Sequence, residues 1–453
     1  MEEKIFELIE QRKFGGLNEL LSEMNPADIA EILEEVSEKD LPVIFRILPK
    51  ELAADTFVEM DSEMQQLLIE AFSDTELKEV MDELFMDDTV DIIDEMPATV
   101  AKRILKQAGA AKRKMINQLL AYPDDSAGSI MTTEYVDLKK GMTVDEAFDR
   151  IREIGVDTEP IYTCYVTDRS RKLLGMVTVK DLLLNKKSCI INDIMEENII
   201  FANTLDDKEE VAGMFEKYDI LALPVVDKEN RLVGIVTVDD AIDVIQDEAT
   251  EDIEKMAAIL PSDKAYFRTG VFSTFKARIP WLMLLMISAT FTGAIISSFE
   301  NRLTVFPALI AFIPMLMDTG GNSGSQASVT IIRGMSLGDI EFRDILRVIW
   351  KEIRVAFFCS TALAAVNFIK LWLVDYLVLH TFDAGRQIPE ILVVCATLFI
   401  TVIVAKLVGC TLPMLAKKVG FDPAVMASPF ITTIVDAVSL VIYFKIASFI
   451  IGV

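Results

Sequence analysis

A single acid, Asp436, stands inside the apolar stretch from Pro429 to Phe444, near the C-terminal end of the 453-residue chain. A carboxylate at the centre of a bilayer costs about 2.5–3.5 kcal/mol on insertion scales, so such a residue faces a pore or a partner. The chemistry it suits is cation passage. A second unusual segment, Pro314-Met-Leu-Met-Asp318-Thr-Gly-Gly-Asn322-Ser-Gly-Ser-Gln326, sets an acid, two amides and three glycines in another hydrophobic stretch. Two readings are open there. The glycines could break the helix beside a polar pathway, a state tolerated at membrane depth only within protein or beside water. Alternatively they permit a close small-residue helix contact in which Asn and Gln hydrogen-bond. Asp318, next to the glycines, favours the pathway.

Two further stretches are rich in acids. Asp239 to Glu254 holds eight acids and no base, and Asp240, Asp243, Asp247, Glu251 and Glu254 recur at spacings of three and four. That spacing sets them on one helix face, where like charges repel. Met81 to Glu95 holds seven acids and no base, with Asp87, Asp91 and Asp94 on one face. A solvated helix face is the ordinary account of such a stripe. Two base-free stripes in one chain favour divalent-ion binding, because Mg²⁺ and Ca²⁺ both take carboxylate oxygens. Neither stripe has EF-hand spacing.

The charge is divided unevenly between elements. From Val271 onward there are 14 Lys and Arg and 11 Asp and Glu; the totals of 44 and 71 leave 30 and 60 before it, so the first 270 residues carry −30 and the rest +3. A very acidic, soluble half repels phosphate, which excludes nucleic acid as its partner, and attracts cations. The N-terminus lacks the basic and apolar regions of a secretory signal. Cys164, Cys189, Cys359, Cys395 and Cys410 show no metal or redox spacing and read as reduced structural thiols. The lone His380 reads as a loop residue and leaves no second histidine for catalysis, and no Walker A motif is present. The chain reads as a non-enzyme.

The hydrophobic half contains five segments, at about 279–299, 303–332, 348–376, 391–416 and 423–451, each long enough to span a bilayer. Lys276, Arg278, Arg333, Arg343, Arg347, Lys351, Arg354, Lys417 and Lys418 mark one side; the alternate loops hold only Arg302 and Arg386. Basic loops lie in the cytoplasm. The expectation is therefore a multi-pass protein of the cytoplasmic membrane, N-terminus inside and C-terminus outside. Residues 1–124 read as an acidic helical superhelix, with Asn25-Pro26 as a cap and short amphipathic units recurring from Leu41, Met64, Asp74 and Asp88. Next comes an internal repeat: Gly175-Met-Val-Thr178-Val-Lys-Asp181 matches Gly234-Ile-Val-Thr237-Val-Asp-Asp240 at an offset of 59 residues. Each copy reads as strand, helix, strand, strand, helix.

The repeat resembles a tandem pair of CBS domains, here 125–187 and 188–248. In that family Gly-x-x-Thr/Ser-x-x-Asp can hold the ribose of an adenosyl ligand such as ATP. The resemblance implies such a role for Thr178, Asp181, Thr237 and Asp240; the same motif also serves as a helix cap. The whole order is acidic helical array, CBS pair, connecting (plug) helix at 249–270 and five-helix transmembrane domain at 271–453. With Gly-Gly-Asn322-Ser-Gly-Ser-Gln326 and Thr-Ile-Val-Asp436, it is similar to the MgtE family of magnesium transporters and channels. The resemblance implies a multidomain α plus α/β membrane protein, a homodimer in the lipid bilayer with the pore on its two-fold axis. Its pore ligands for Mg²⁺ would be Asp436, Asn322 and Thr432. Its regulatory Mg²⁺ sites would use Asp87, Asp91, the Gly128 carbonyl, Glu209, Asp219, Asp240, Asp243, Glu248 and Glu251. Two departures from the family pattern are Ser428 before Pro429, where Asn is expected, and Asp318, where a small residue is common. Two rival classes are an H⁺- or Na⁺-coupled divalent cation carrier and a membrane-bound CBS sensor without transport.

Overall fold

The computed structural model describes residues 2–155, 158, 161–262, 266, 269–299, 307–376, 387–426 and 428–451. His380 lies outside them. The chain divides into two compact units, Met1–Ile245 and Gln246–Val453.

The first unit opens with ten short helices: α1 (Glu2–Glu10), α2 (Phe14–Leu21), α3 (Pro26–Glu34), α4 (Leu41–Phe45), α5 (Lys50–Val58), α6 (Ser62–Ala71), α7 (Asp74–Glu83), α8 (Met86–Glu95), α9 (Ala98–Gln107) and α10 (Ala110–Leu119). Helices this short are marginal alone and persist by stacking their apolar faces. Leu17, Ile29, Phe57, Leu68, Ile69 and Leu77 are fully buried between them. Local signals set their starts. Asn25 accepts from the Ala27 N–H at 3.1 Å with Pro26 in the first turn. Ser73 and Glu76 form a reciprocal capping box on α7.

The repeat folds as the pattern predicts. The first copy is β1 (Asp137–Lys139), α11 (Val144–Ile154), β2 (Thr163–Thr167), β3 (Leu173–Thr178) and α12 (Val179–Leu184). After the short α13 (Ile191–Ile194), the second is β4 (Ala202–Asn203), α14 (Lys208–Tyr218), β5 (Ala222–Val226), β6 (Leu232–Thr237) and α15 (Val238–Met256). Each sheet pairs its first two strands parallel and its last two antiparallel. The copies meet through Tyr165, Ala222, Leu232 and Ile235. The first copy has its own core of Val136, Leu138, Val144, Val166, Val177 and Leu182. Ala202, Val211, Leu223, Val236 and Ala241 of the second copy instead join the core of the N-terminal helices.

The second unit contains α16 (Val271–Ser298), α17 (Pro307–Ile310), α18 (Ile313–Ser336), α19 (Ile345–Lys370), α20 (Gln387–Val419) and α21 (Ser428–Ile451). A π-helical segment, Leu371–Tyr376, prolongs α19. Four helices among the described residues have the length and composition to cross a membrane: Val271–Ser298, Phe342–Val374, Ile388–Val419 and Ala424–Ile450. The 24-residue α18 falls short only in apolarity, because Asp318, Asn322, Ser323, Ser325 and Gln326 crowd its middle. Two expectations are corrected. α18 runs unbroken through Gly320 and Gly321, so the glycines do not unwind it. Among the described residues of the connecting stretch, the helix continues from α15 only as far as Met256, and Ala258 just beyond it has a left-handed φ of +55°.

Candidate ion pathway and acidic cluster

The glycines of α18 serve packing. A Cβ on Gly320 would lie 2.8 Å from Thr401 Cγ2 and 3.0 Å from Ser439 Oγ; one on Gly321, 3.0 Å from Thr432 Cγ2; one on Gly324, 2.9 Å from Ile431 Cγ2. A Cβ on Gly409 of α20 would collide with the Gly324 carbonyl. Helices held by dispersion forces need such small residues to bring their backbones together. The same contacts set direction. Gly320 to Gly324 ascends α18 while its partners descend α21 from Ser439 to Ile431 and ascend α20 from Thr401 to Ala405. Thus α18 is antiparallel to α21 and parallel to α20.

With one face of α18 buried, Asp318, Asn322 and Gln326 project from the other and are exposed in the single chain. Asp436, on α21, is half-buried and within electrostatic range of Asp318. Thr432 is half-buried one turn earlier, its methyl group against Gly321 and its hydroxyl donating to the Pro429 carbonyl at 2.9 Å. The predicted pore residues therefore fall on two helices that touch.

Within the first unit α8 faces the start of α15. Asp87 is 6% exposed. Burial, then Asp88 and Glu134, push its carboxyl up to about 7. Burial, then Asp87, push Asp240 up to about 7 against the hydrogen bond from Thr237. Asp91 keeps an exposed surface, yet desolvation by the protein behind it, then Asp87, Asp240 and Asp88, push it up to about 8. Asp88, absent from the sequence-based set, rises to about 6 through burial and then Asp240, Asp239, Glu134 and Glu59. Glu134 was also missed, since it lies 48 residues from α8. Its carboxylate accepts from the Met86 N–H at 2.9 Å, capping a helix whose own N-cap, Phe85, has no side chain to do so. Among the described residues no three of these acids converge tightly enough to ligate a bare metal ion.

The other predicted ligands are dispersed. Gly128 donates its N–H to the Thr204 carbonyl at 3.0 Å, beside the strand that leads into α14, whose second residue is Glu209. Asp219 ends α14 in a left-handed conformation at φ +52°. Ten residues of helix separate it from Glu209, about 15 Å, too far to share one ion. Asp243 is exposed one turn beyond Asp240. Glu248 lies further along α15. Glu251 is no bare acid, because Lys255 donates to it at 2.6 Å and to Asp422 at 2.7 Å. Burial pulls Lys255 down, and the pairing with Asp422 and Glu251 outweighs it, so the net shift is upward. Met256 packs beside Ile331, Met335, Met414 and Ala424. The end of α15 is thus pinned to the loop that precedes α21.

Both CBS motifs act as helix caps. Thr178 and Asp181 form a reciprocal box on α12, and Thr237 donates to Asp240 at 2.6 Å. They differ in setting. Asp181 lies beside the exposed Lys180, whereas Asp240 faces Asp87 and Asp239. The second motif is therefore set among more negative charge than the first.

A family model described as "Divalent cation transporter" matches residues 313–446, one for the MgtE intracellular N domain matches 24–125, and the CBS domain model matches 127–187 and 191–247. The chain is 34% identical to the magnesium transporter MgtE of Thermus thermophilus, covering 99% of this chain and 98% of that protein. It is equally 34% identical to the Bacillus subtilis magnesium transporter MgtE, over 98% of this chain and 96% of that one. The crystal structure of the cytosolic domain of the Mg²⁺ channel MgtE in complex with ATP superimposes with a TM-score of 0.52 at 33% identity, covering 54% of this chain and all of that one. On the near full-length identity and the match of all three family models, the chain belongs to the MgtE family of divalent cation transporters.

Proposed function

We propose that this protein carries Mg²⁺ across the cytoplasmic membrane as a homodimer and is closed by Mg²⁺ on its acidic side. The observation that carries the reading is the pairing of α18 with α21. Small residues bring the helices together and leave Asp318, Asn322 and Gln326 on the exposed face of α18, with Asp436 half-buried on the adjoining α21. Such groups face a water-filled path or a partner rather than lipid. In a dimer the path lies between two copies, with the basic ends of the helices and residues 1–250 inside the cell. Mg²⁺ gives up its waters reluctantly, so two Asp436 carboxylates hold a largely hydrated ion through those waters. Monovalent ions, with half the charge, are held less well.

Closure follows from the acidic cluster. Without a cation, Asp87, Asp88, Asp91 and Asp240 oppose the packing of α8 against α15; a hydrated Mg²⁺ among them relieves that repulsion and favours the packed state. Asp243, Glu248, Glu251, Glu209, Asp219 and the Gly128 carbonyl would serve further ions, some of them between copies. Lys255 and Met256 would pass the state of α15 to α21. ATP or another adenosyl ligand would occupy the Thr178–Asp181 motif. The test is Mg²⁺ influx into liposomes containing the purified protein, with and without Mg²⁺ on the acidic side. Absence of flux sinks the transport reading, and flux indifferent to Mg²⁺ on that side sinks the gating.

A further inference from the structure

The exposed polar line on α18 has a member to which the pathway above gives no separate role. Asp318, Asn322 and Gln326 recur every four residues, and all three are exposed. Successive members drift by about 40° and together cover about 12 Å of helix length, so they form one rail along α18. The opposite face, Gly320, Gly321, Gly324, Ala327 and Ser328, is buried. Among the described residues no base is paired with Asp318, and it lies within electrostatic range of Asp436 on α21.

Register places the two acids at different depths. Gly320 lies against Ser439 and Val435, and Gly321 against Thr432, so Asp436 is level with the glycine pair. Asp318 precedes that pair and lies about 4 Å further toward the N-terminal end of α18. The opposite end of α18 carries Arg333, and the basic residues Arg343, Arg347 and Lys351 follow it. Asp318 is therefore on the side of Asp436 away from the basic end.

We propose that Asp318 is a second acidic rung of the same pathway, which captures the divalent cation on the outer side and hands it to Asp436. The inference rests on the transport reading above. Two carboxylates at different depths divide the work. The inner one fixes how fast a bound ion is passed and which ion is accepted. The outer one raises the local cation concentration and sets the external concentration at which the path fills.

The experiment is Mg²⁺ influx into proteoliposomes loaded with a Mg²⁺-sensitive dye, measured over a range of external MgCl₂ for the full chain and for D318N, D318E and D436N. D318N is expected to raise the half-saturating Mg²⁺ about tenfold while its saturating influx stays within about twofold of the parent. D318E should restore the parent curve, and D436N should lose saturating influx. As a check that does not depend on the Asn variant folding, D318C is treated from outside with charged thiol reagents. A sulfonate adduct should lower the half-saturating concentration and an ammonium adduct should raise it, with no response in the parent. A D318N curve that overlays the parent, or D318C adducts of either sign with the same effect, overturns the outer rung and leaves Asp436 in place. Full influx in D436N, or no Mg²⁺ influx in the parent, overturns the transport reading and this inference together.

Discussion

Carboxylates do opposite things in the two units. Around α8 and the start of α15 they are packed until burial and mutual repulsion raise Asp87, Asp88, Asp91 and Asp240 to between about 6 and 8. In the helical bundle, Asp318 and Asp436 stand apart among amides, hydroxyls and small residues. A crowd of acids cannot hold its charge without a counter-ion, so its packing is tied to whatever supplies one. Two acids on facing helices attract an ion without being packed around it. Density, more than residue type, separates the proposed sensor from the proposed path.

The comparison breaks most sharply at Asp436. Asp436→Asn is expected to cut Mg²⁺ influx more than about a hundredfold, because a divalent ion and one carboxylate about 5 Å apart attract by about 7 kcal/mol at an effective dielectric of 20. The dimer should stay folded, since removing a charge from an apolar helix lowers its insertion cost. Uptake like that of the parent in this variant would exclude the electrostatic account. Next in size is the response of the crowd. Each raised carboxyl binds protons in the folded state that it would release unfolded, near pH 4. In EDTA the cluster's contribution is therefore most favourable below about pH 4 and worsens as pH rises through 6 to 8. Mg²⁺ should reverse this above pH 6, adding about 2.7 kcal/mol at a hundredfold excess over Kd. Protease half-life of the full chain, with Mg²⁺ and with EDTA at pH 5 and 8, measures it. The triple variant Asp87→Asn, Asp91→Asn, Asp240→Asn should resist protease without Mg²⁺, and its influx should ignore Mg²⁺ on the acidic side. Protection that still depends on Mg²⁺ in this variant would move the sensor elsewhere.

Smaller effects sharpen the same contrast. Gly324→Ala should cost about 1–3 kcal/mol of bundle stability by overpacking against Ile431 and the Ala405 carbonyl. Thermal unfolding in detergent would show it as a lower midpoint, while Mg²⁺ protection of the first unit stays unchanged. Lys255→Met frees Glu251 and Asp422. A partly exposed pair of this kind is worth up to about 1 kcal/mol, so the Mg²⁺ needed for closure should rise no more than about fivefold. An unaltered closing curve would deny α15 its link to α21.

Much of this was legible beforehand because it depends on periodicity and local chemistry. The helical character of the N-terminal region, the strand–helix–strand–strand–helix repeat and the lone Asp436 all follow from spacing, caps and hydropathy. The glycines of α18 were ambiguous for a physical reason. Gly-Gly is equally compatible with a broken helix and a close contact, and only the neighbours Thr401, Thr432 and Ser439 decide between them. Glu134 and Lys255 escaped notice because their partners, Met86 and Asp422, lie 48 and 167 residues away, and neither pairing leaves a trace in local sequence. The stripe on α15 was read correctly as acidic, but its division was hidden: Asp240 joins a repelling crowd and Glu251 is neutralised by Lys255.

The core shared between the N-terminal helices and the second repeat bears on how the chain is made. Ala202, Leu223, Val236 and Ala241 complete a hydrophobic cluster begun by Ile5 and Leu17, while the intervening first repeat closes around its own residues. A ribosome adding about 5–20 residues per second reaches Ala241 roughly 6–24 seconds after finishing α10. During that interval the first helices must wait with part of their apolar surface uncovered, although the first repeat can already fold. The nascent chain would therefore acquire its order from the middle outward, and a chaperone or a pause in translation would matter most between residues 124 and 241.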